Sequence, residues 1–153
     1  MIFALDPGPA QSALVVLDGL AVRGFYLKPN DDLMLMLRRQ ARDEHLVIED
    51  IQSYGMPVGV EIFQTVFWSG RFAQAWPGTW SLLPRRAVKL ALCHSARATD
   101  ATVRQALIDR YGPGRQQAIG TKKAPGPLYG ITGDCWQALA LAIAYEEAGH
   151  VPR

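Results

Sequence analysis

Acids stand at three places where an apolar run begins or gives out. Ile2-Phe3-Ala4-Leu5 ends in Asp6 before Pro7-Gly8, and Leu46-Val47-Ile48 ends in Glu49-Asp50. Asp134 opens the alanine-rich stretch that starts at Cys135. An apolar run stopped by Pro-Gly is a strand meeting a turn, which puts Asp6 at the exit of a buried first strand. Burying an unpaired carboxylate costs on the order of several kcal/mol unless a cation or donors meet it. Either Asp6 caps its own turn, or something positive belongs beside it. If the first and fourth strands lie parallel and adjacent, both bring an acid to one carboxyl end of the sheet, where open sheets place their sites. A final helix starting at Gly133-Asp134 can add a third. Carboxylates brought together repel and raise their own pKa values unless divalent cations sit between them. Hard oxygen ligands select Mg²⁺ or Mn²⁺. Two such ions about 4 Å apart can activate a water and stabilise the leaving oxygen in phosphodiester hydrolysis.

Each acid also has a structural use. Asp134 in the first turn of a helix complements the helix dipole. Glu49 and Asp50 suit an ordinary solvated strand exit. Strand alternation puts Glu49 on one face with Val47 and Asp50 on the other with Ile48, and by itself chooses neither.

The elements that must position these acids are legible as patterns. Residues 2–7, 12–18 and 21–28 read as three consecutive strands, with Asp18-Gly19 as a tight turn. A helix follows Pro29-Asn30-Asp31-Asp32, carrying Leu33, Met34, Leu37 and Ala41 at helical spacing. Residues 45–50 form the fourth strand, reached by a crossover that favours parallel pairing. A long helix over about 58–76 has an apolar stripe that Trp68, Phe72 and Trp76 extend beyond one face, which fits a subunit contact there and equally fits deep burial in the monomer. Residues 79–83 give a fifth strand, and helices are expected near 85–92, from Thr99-Asp100 to Tyr111, and over 133–148. The Gly-, Pro- and Lys-containing stretch 112–130 lacks periodicity and reads as a mobile basic loop. The expectation is one α/β domain over residues 1–153. Its mixed sheet has about five strands, three antiparallel and then parallel ones, with helices on both faces.

Bulk composition narrows the function. The chain of 153 residues is 49% hydrophobic and 20% charged, as in ordinary globular proteins, and no apolar run approaches a membrane span. Its opening has no basic region or cleavage site, so no signal peptide and a cytoplasmic location are expected. Cys93 and Cys135 are too few for a disulfide scaffold or a zinc site and are expected as reduced thiols. The net charge of +2 is unevenly placed: residues 85–123 carry nine basic residues against Asp100 and Asp109, a net +7. Such a segment suits a polyanion partner, although solvated helix faces would also use it.

Ala4-Leu5-Asp6-Pro7-Gly8, Val47-Ile48-Glu49-Asp50 with Ser53-Tyr54-Gly55-Met56, and Asp134-Cys135-Trp136-Gln137-Ala138-Leu139-Ala140 together resemble the RuvC-like Holliday junction resolvases. The stretches Arg97–Asp109 and Lys122–Gly130 look like the short phage and prophage members of that group. Single motifs are weak, but the ordered set spans nearly the whole chain. The resemblance implies an RNase H-like fold, divalent-metal-dependent cleavage of branched DNA, most simply a four-way junction, and commonly a homodimer. Asp6 matches the first catalytic aspartate, Glu49 the fourth-strand glutamate, and Asp134 the first acid of the last helix. These three are the implied ligands of one or two Mg²⁺ ions, with Mn²⁺ as substitute. The sequence departs at Gln137, where cellular members of the group carry a second acid; Asp100 is the other candidate for a fourth position, although it also suits an N-cap. Lys89 falls where the group tends to place a basic residue near the scissile phosphate. Arg85, Arg86, Lys89, Arg97, Arg104, Lys122 and Lys123 are the candidate phosphate contacts. The competing expectation keeps the fold without the catalysis: a weakened RNase H-like DNA-binding or assembly protein, with Gln137 as the trace of decay. A two-lobed sugar-kinase or actin-like ATPase also begins with Asp-x-Gly after a strand, but 153 residues supply one lobe.

Overall fold

The computed structural model describes residues 1–149. Its elements are β1 (Ile2–Asp6), β2 (Gln11–Asp18), β3 (Ala21–Pro29), α1 (Asn30–Leu37), β4 (His45–Asp50), α2 (Val60–Ala75), β5 (Thr79–Pro84), α3 (Arg85–Cys93), α4 (Asp100–Tyr111), α5 (Arg115–Ala118) and α6 (Cys135–Glu147). They build one five-stranded sheet in the order β3-β2-β1-β4-β5. β1 pairs antiparallel with β2, and β2 with β3, whereas β1–β4 and β4–β5 are parallel. The mixed sheet expected from the hairpin signals and the helical crossover is therefore the one formed.

Period-two alternation sorts the strand residues into two cores. Ala4, Ala13, Val15, Leu17 and Val47 face α3, α4 and α6. Phe3, Leu5, Leu14, Val16, Leu46 and Ile48 face α1 and α2. The first face is built of smaller residues at its centre, and α6 answers with Ala138, Ala140, Ala142 and Ala144, all buried. Small side chains on both partners let the helix lie close to β1 and β2 while α3 and α4 cover its other side. Every residue from Cys135 to Tyr145 except Gln137 is buried, so α6 is a core helix rather than an amphipathic one.

Three local readings change. α1 stops at Leu37 rather than running to Ala41, with a tight turn through Arg38–Gln40. Residues 112–130 hold α5 and a turn bridged between Gly120 and Pro125, held by paired backbone bonds between Thr121 and Ala124. Gly120 adopts φ +70, and a Cβ there would lie 2.2 Å from the Ala124 carbonyl oxygen, so only glycine closes this turn. Phe72 and Trp76 belong to the α1/α2 core, and Trp68 packs half-buried beside Phe72. The apolar residues that α2 exposes lie on its other stripe: Val60, Phe63, Val66 and Phe67. The proposed contact at Trp68, Phe72 and Trp76 is corrected accordingly, because both stripes have helical spacing and only packing decides which is inside. Both cysteines are free, as expected. No helix among the described residues is long and apolar enough to cross a membrane.

Candidate active site

The parallel register of β1 on β4 pairs Ile2 with His45 and Leu5 with Ile48. The same offset carries Asp6 to Glu49 at the carboxyl ends of the two central strands. Alternation places both acids on the face that packs α6, two residues beyond Ala4 and Val47. Asp50 instead follows Ile48 onto the α2 face, where it accepts a 2.6 Å bond from Gln52. Geometry thus separates the adjacent acids: Glu49 shares the face of Asp6, and Asp50 does not. Glu49 is only 8% exposed.

Asp6 is not used as a turn cap. The Gly8 N–H donates to Ser12 Oγ (3.0 Å), Ser12 Oγ donates to Asn30 Oδ1 (2.6 Å), and Asn30 Nδ2 donates to the Gly8 carbonyl (2.9 Å). This closed ring is almost wholly buried at Ser12 and Asn30 and fixes the Pro7-Gly8 turn. A Cβ on Gly8 would lie 2.3 Å from the Gln11 carbonyl oxygen, so glycine is required for the close return of the chain. The turn is satisfied without the Asp6 carboxylate, which remains available to the site. Neither Ser12 nor Asn30 was singled out from sequence. A serine among buried apolar strand residues and an asparagine directly after Pro29 were the signals, but their partnership is visible only in the fold.

Burial first, then a hydrogen bond with Glu49 and the charges of Glu49 and Asp134, push the Asp6 carboxyl up to about 9; Arg85 offsets part of this. Burial beside Glu49 thus favours the protonated form of the Asp6 carboxyl. Asp134 stands at the N-cap of α6, exposed, with no side-chain capping bond, so its carboxylate is also unspent on helix capping. It reaches the same locality: burial pushes the Cys135 thiol up, and the charges of Asp134 and Asp6 add to that shift.

These three acids offer the hard oxygen donors that a Mg²⁺- or Mn²⁺-type ion takes. Among the described residues no three acids, histidines or cysteines close on a common point. Asp6 and Glu49 instead lie within hydrogen-bonding reach of each other, and an Arg85 nitrogen stands 3.5 Å from Glu49 Oε1. The donor chemistry fits a divalent cation, because excess negative charge is already drawing in a proton and a guanidinium.

The two candidates for a fourth position part company. Asp100 does not cap α4; Thr99 does, accepting a 3.2 Å bond from the Thr102 N–H. Asp100 is exposed and pairs at 2.7 Å with Arg85, so it reaches the acids only through that arginine. Gln137 lies half-buried one turn into α6.

Of the basic candidates, Arg85, Arg86, Lys89 and Arg97 line one groove of about 410 Å³ with Tyr54 and Ala96. Arg85 and Arg86 occupy the first turn of α3, where positive charge opposes the helix dipole and costs roughly 0.3–1 kcal/mol each. Tyr54 is 57% exposed and holds φ +51, a left-handed conformation that costs a non-glycine residue on the order of 1 kcal/mol. Arg104 stacks over Trp136, its Cζ 4.5 Å from the ring, two residues past Asp134. Lys122 and Lys123 sit exposed at the tip of the bridged turn, apart from the groove.

The raised Asp6 pKa has a consequence for stability. The folded protein holds a proton that the unfolded chain releases near the ordinary carboxyl value of 3.8, so stability is lost as pH rises from there toward 9. Asp6→Asn removes that liability. In metal-free buffer its melting temperature should exceed that of the parent by several degrees at pH 8 and by much less at pH 5, as read by thermal circular dichroism. Equal or lower melting temperatures at pH 8 would contradict the shared proton.

No protein-family model matches the chain, and no curated protein matches it. Solved structures do. The chain superposes on Thermus thermophilus RuvC with a TM-score of 0.62 and 17% identity, over 97% of this chain and 96% of that one. It also superposes on T. thermophilus RuvC in complex with a Holliday junction substrate, with a TM-score of 0.58 and 14% identity, over 97% and 93% of the two chains. At such identities the likeness speaks to architecture alone: the five-stranded mixed sheet with its flanking helices is an RNase H-like fold, the one these structures share.

Proposed function

We propose that the protein is a metal-dependent, structure-selective DNA endonuclease that resolves four-way junctions or other branched DNA. The observation that carries this reading is the pairing of Asp6 and Glu49, set side by side at the strand ends by the β1–β4 register, beside a groove lined by four basic residues. Asp6, Glu49 and Asp134 hold one or two Mg²⁺ ions, for which Mn²⁺ substitutes. When bound, such ions make a water acidic enough to attack phosphorus and offset the charge of the leaving oxygen. Water adds its oxygen to phosphorus, the bond to the 3′-oxygen breaks, and the strand is left with a 3′-hydroxyl and a 5′-phosphate. The chain's own work is to keep the carboxylates fixed by the sheet register and the Gly8–Ser12–Asn30 ring. Arg86, Lys89 and Arg97 neutralise phosphates in the groove, and Lys122 and Lys123 do so at the bridged turn. Contacts of this kind fix position and read no sequence, so selectivity rests on branch shape. The stretches 97–109 and 122–130 support placement in the phage and prophage branch, acting in the cytoplasm of a bacterium or an infected host.

The second reading is a DNA-binding or assembly protein with a weakened site, favoured by the amide at Gln137. The two separate on one substrate. The parent protein should cut a synthetic four-way junction in Mg²⁺, with chelation stopping it. Glu49→Gln and Asp134→Asn should each lose at least about 100-fold in rate while still shifting the junction on a gel. Junction binding without metal-dependent cutting by the parent would favour the second reading, and full activity in Glu49→Gln would remove Glu49 from the site.

A resolvase must cut two strands, which a homodimer does with one site per subunit. The exposed stripe of α2 supports this, with Phe63 and Phe67 65% and 67% exposed. Val66 shares a cleft with Trp80 and Leu82 of the edge strand β5, both also exposed, so the apolar surface continues onto the sheet. Phe67→Glu should convert the dimer to a monomer in sedimentation velocity without changing the far-ultraviolet dichroism spectrum. A dimer that persists in that variant would place the interface elsewhere.

A further inference from the structure

Arg85 touches two carboxylates of opposite standing. One guanidinium nitrogen lies 3.5 Å from Oε1 of the buried Glu49, and another lies 2.7 Å from Oδ1 of the exposed Asp100. Its charge also acts on Asp6. Arginine stays protonated in proteins, so this charge cannot be removed by titration and leaves the site only by moving. A divalent cation that takes Glu49 as a ligand needs the same oxygens and repels the guanidinium. Asp100 supplies the place for it to go, exposed on the first turn of α4.

We propose that Arg85 is a built-in competitor of the divalent cation, and that Asp100 sets the strength of this competition by holding the guanidinium on the solvent side. In the metal-free protein Arg85 stands in for the ion at Glu49, and on loading it is retained by Asp100 at the mouth of the basic groove. Asp100 is thus a positioning residue acting through Arg85, neither a fourth ligand nor a helix cap. This inference rests on the nuclease reading for the identity of the ion.

The test is calorimetric titration of Mn²⁺ into the metal-free full chain without DNA. Arg85→Met keeps the aliphatic stem and removes the charge, and it should bind Mn²⁺ about tenfold or more tightly than the parent. Asp100→Asn should bind several-fold more weakly, because Arg85 is then left to Glu49 and Asp6 alone. That weakening should vanish in the Arg85→Met background, which a general loss of negative charge would not produce. Arg86→Met removes a charge from the same groove and should leave the affinity unchanged, separating direct competition from the long-range field. Should Arg85→Met fail to fold, Asp100→Asn set against Asp109→Asn decides, since Asp109 is exposed on the same helix and bonds to Gln105 instead. Equal or weaker binding by Arg85→Met, or an equal gain from Arg86→Met, overturns the proposal. So does an equal effect of the two aspartate variants. Mn²⁺ binding that depends on Glu49 but ignores Arg85 overturns this inference alone. An absence of Glu49-dependent binding in every variant overturns the metal reading with it.

Discussion

Two carboxylates set side by side and largely shielded from water cannot both readily keep their charge. β1 and β4 are central strands in parallel register, so Asp6 and Glu49 emerge at the same level and on the same face. Their repulsion, in a place largely closed to water, has to be met by a proton, a guanidinium or a metal ion. In the metal-free protein the first two meet it: burial beside Glu49 pushes the Asp6 carboxyl up, toward its protonated form, and Arg85 leans on Glu49. The rest of the architecture either creates this conflict or manages it.

The sheet creates it. A hairpin brings β2 back beside β1, and the α1 crossover delivers β4 to the other side of β1, so the first strand becomes central and its exit is enclosed. The core face under the acids is kept shallow by Ala4, Ala13 and the alanines of α6, which lets that helix close down and bring Asp134 to the rim. Management falls to groups outside the acid cluster. The buried ring of Gly8, Ser12 and Asn30 satisfies the turn so that Asp6 need not. The first turn of α3 places two arginines at a helix N-terminus, against the dipole, beside the groove that also holds Lys89 and Arg97. A protein that bears those costs together gains a pole of negative charge directly beside a pole of positive charge.

Much of this was legible in the sequence because it depends on short-range pattern. Apolar runs closed by Asp-Pro-Gly and Glu-Asp marked the strand ends, and Asp18-Gly19 marked the hairpin. What escaped depends on distance. Ser12 and Asn30 are 18 residues apart and look like an ordinary strand serine and helix-start asparagine until β2 and α1 are docked. Arg85 and Asp100 are likewise separated by a helix and a loop, so each received a role of its own rather than a shared one. α2 misled for a different reason: it carries apolar residues on two stripes, and periodicity cannot say which stripe meets the sheet. α5 is four residues long, too short for any periodic signal. The Glu49/Asp50 choice lay between these cases: alternation gave two faces without choosing, the family resemblance pointed to Glu49, and the packing of α6 puts Glu49 on the face of Asp6.

The measurement that bears most directly on this account is an anomalous-scattering difference map from crystals of the protein soaked in Mn²⁺. The account predicts a peak between the carboxylates of Asp6 and Glu49 with Asp134 in reach, and Arg85 withdrawn from Glu49 while still paired with Asp100. No peak at the strand ends, or a peak there with the refined Arg85 guanidinium still against Glu49, would contradict it.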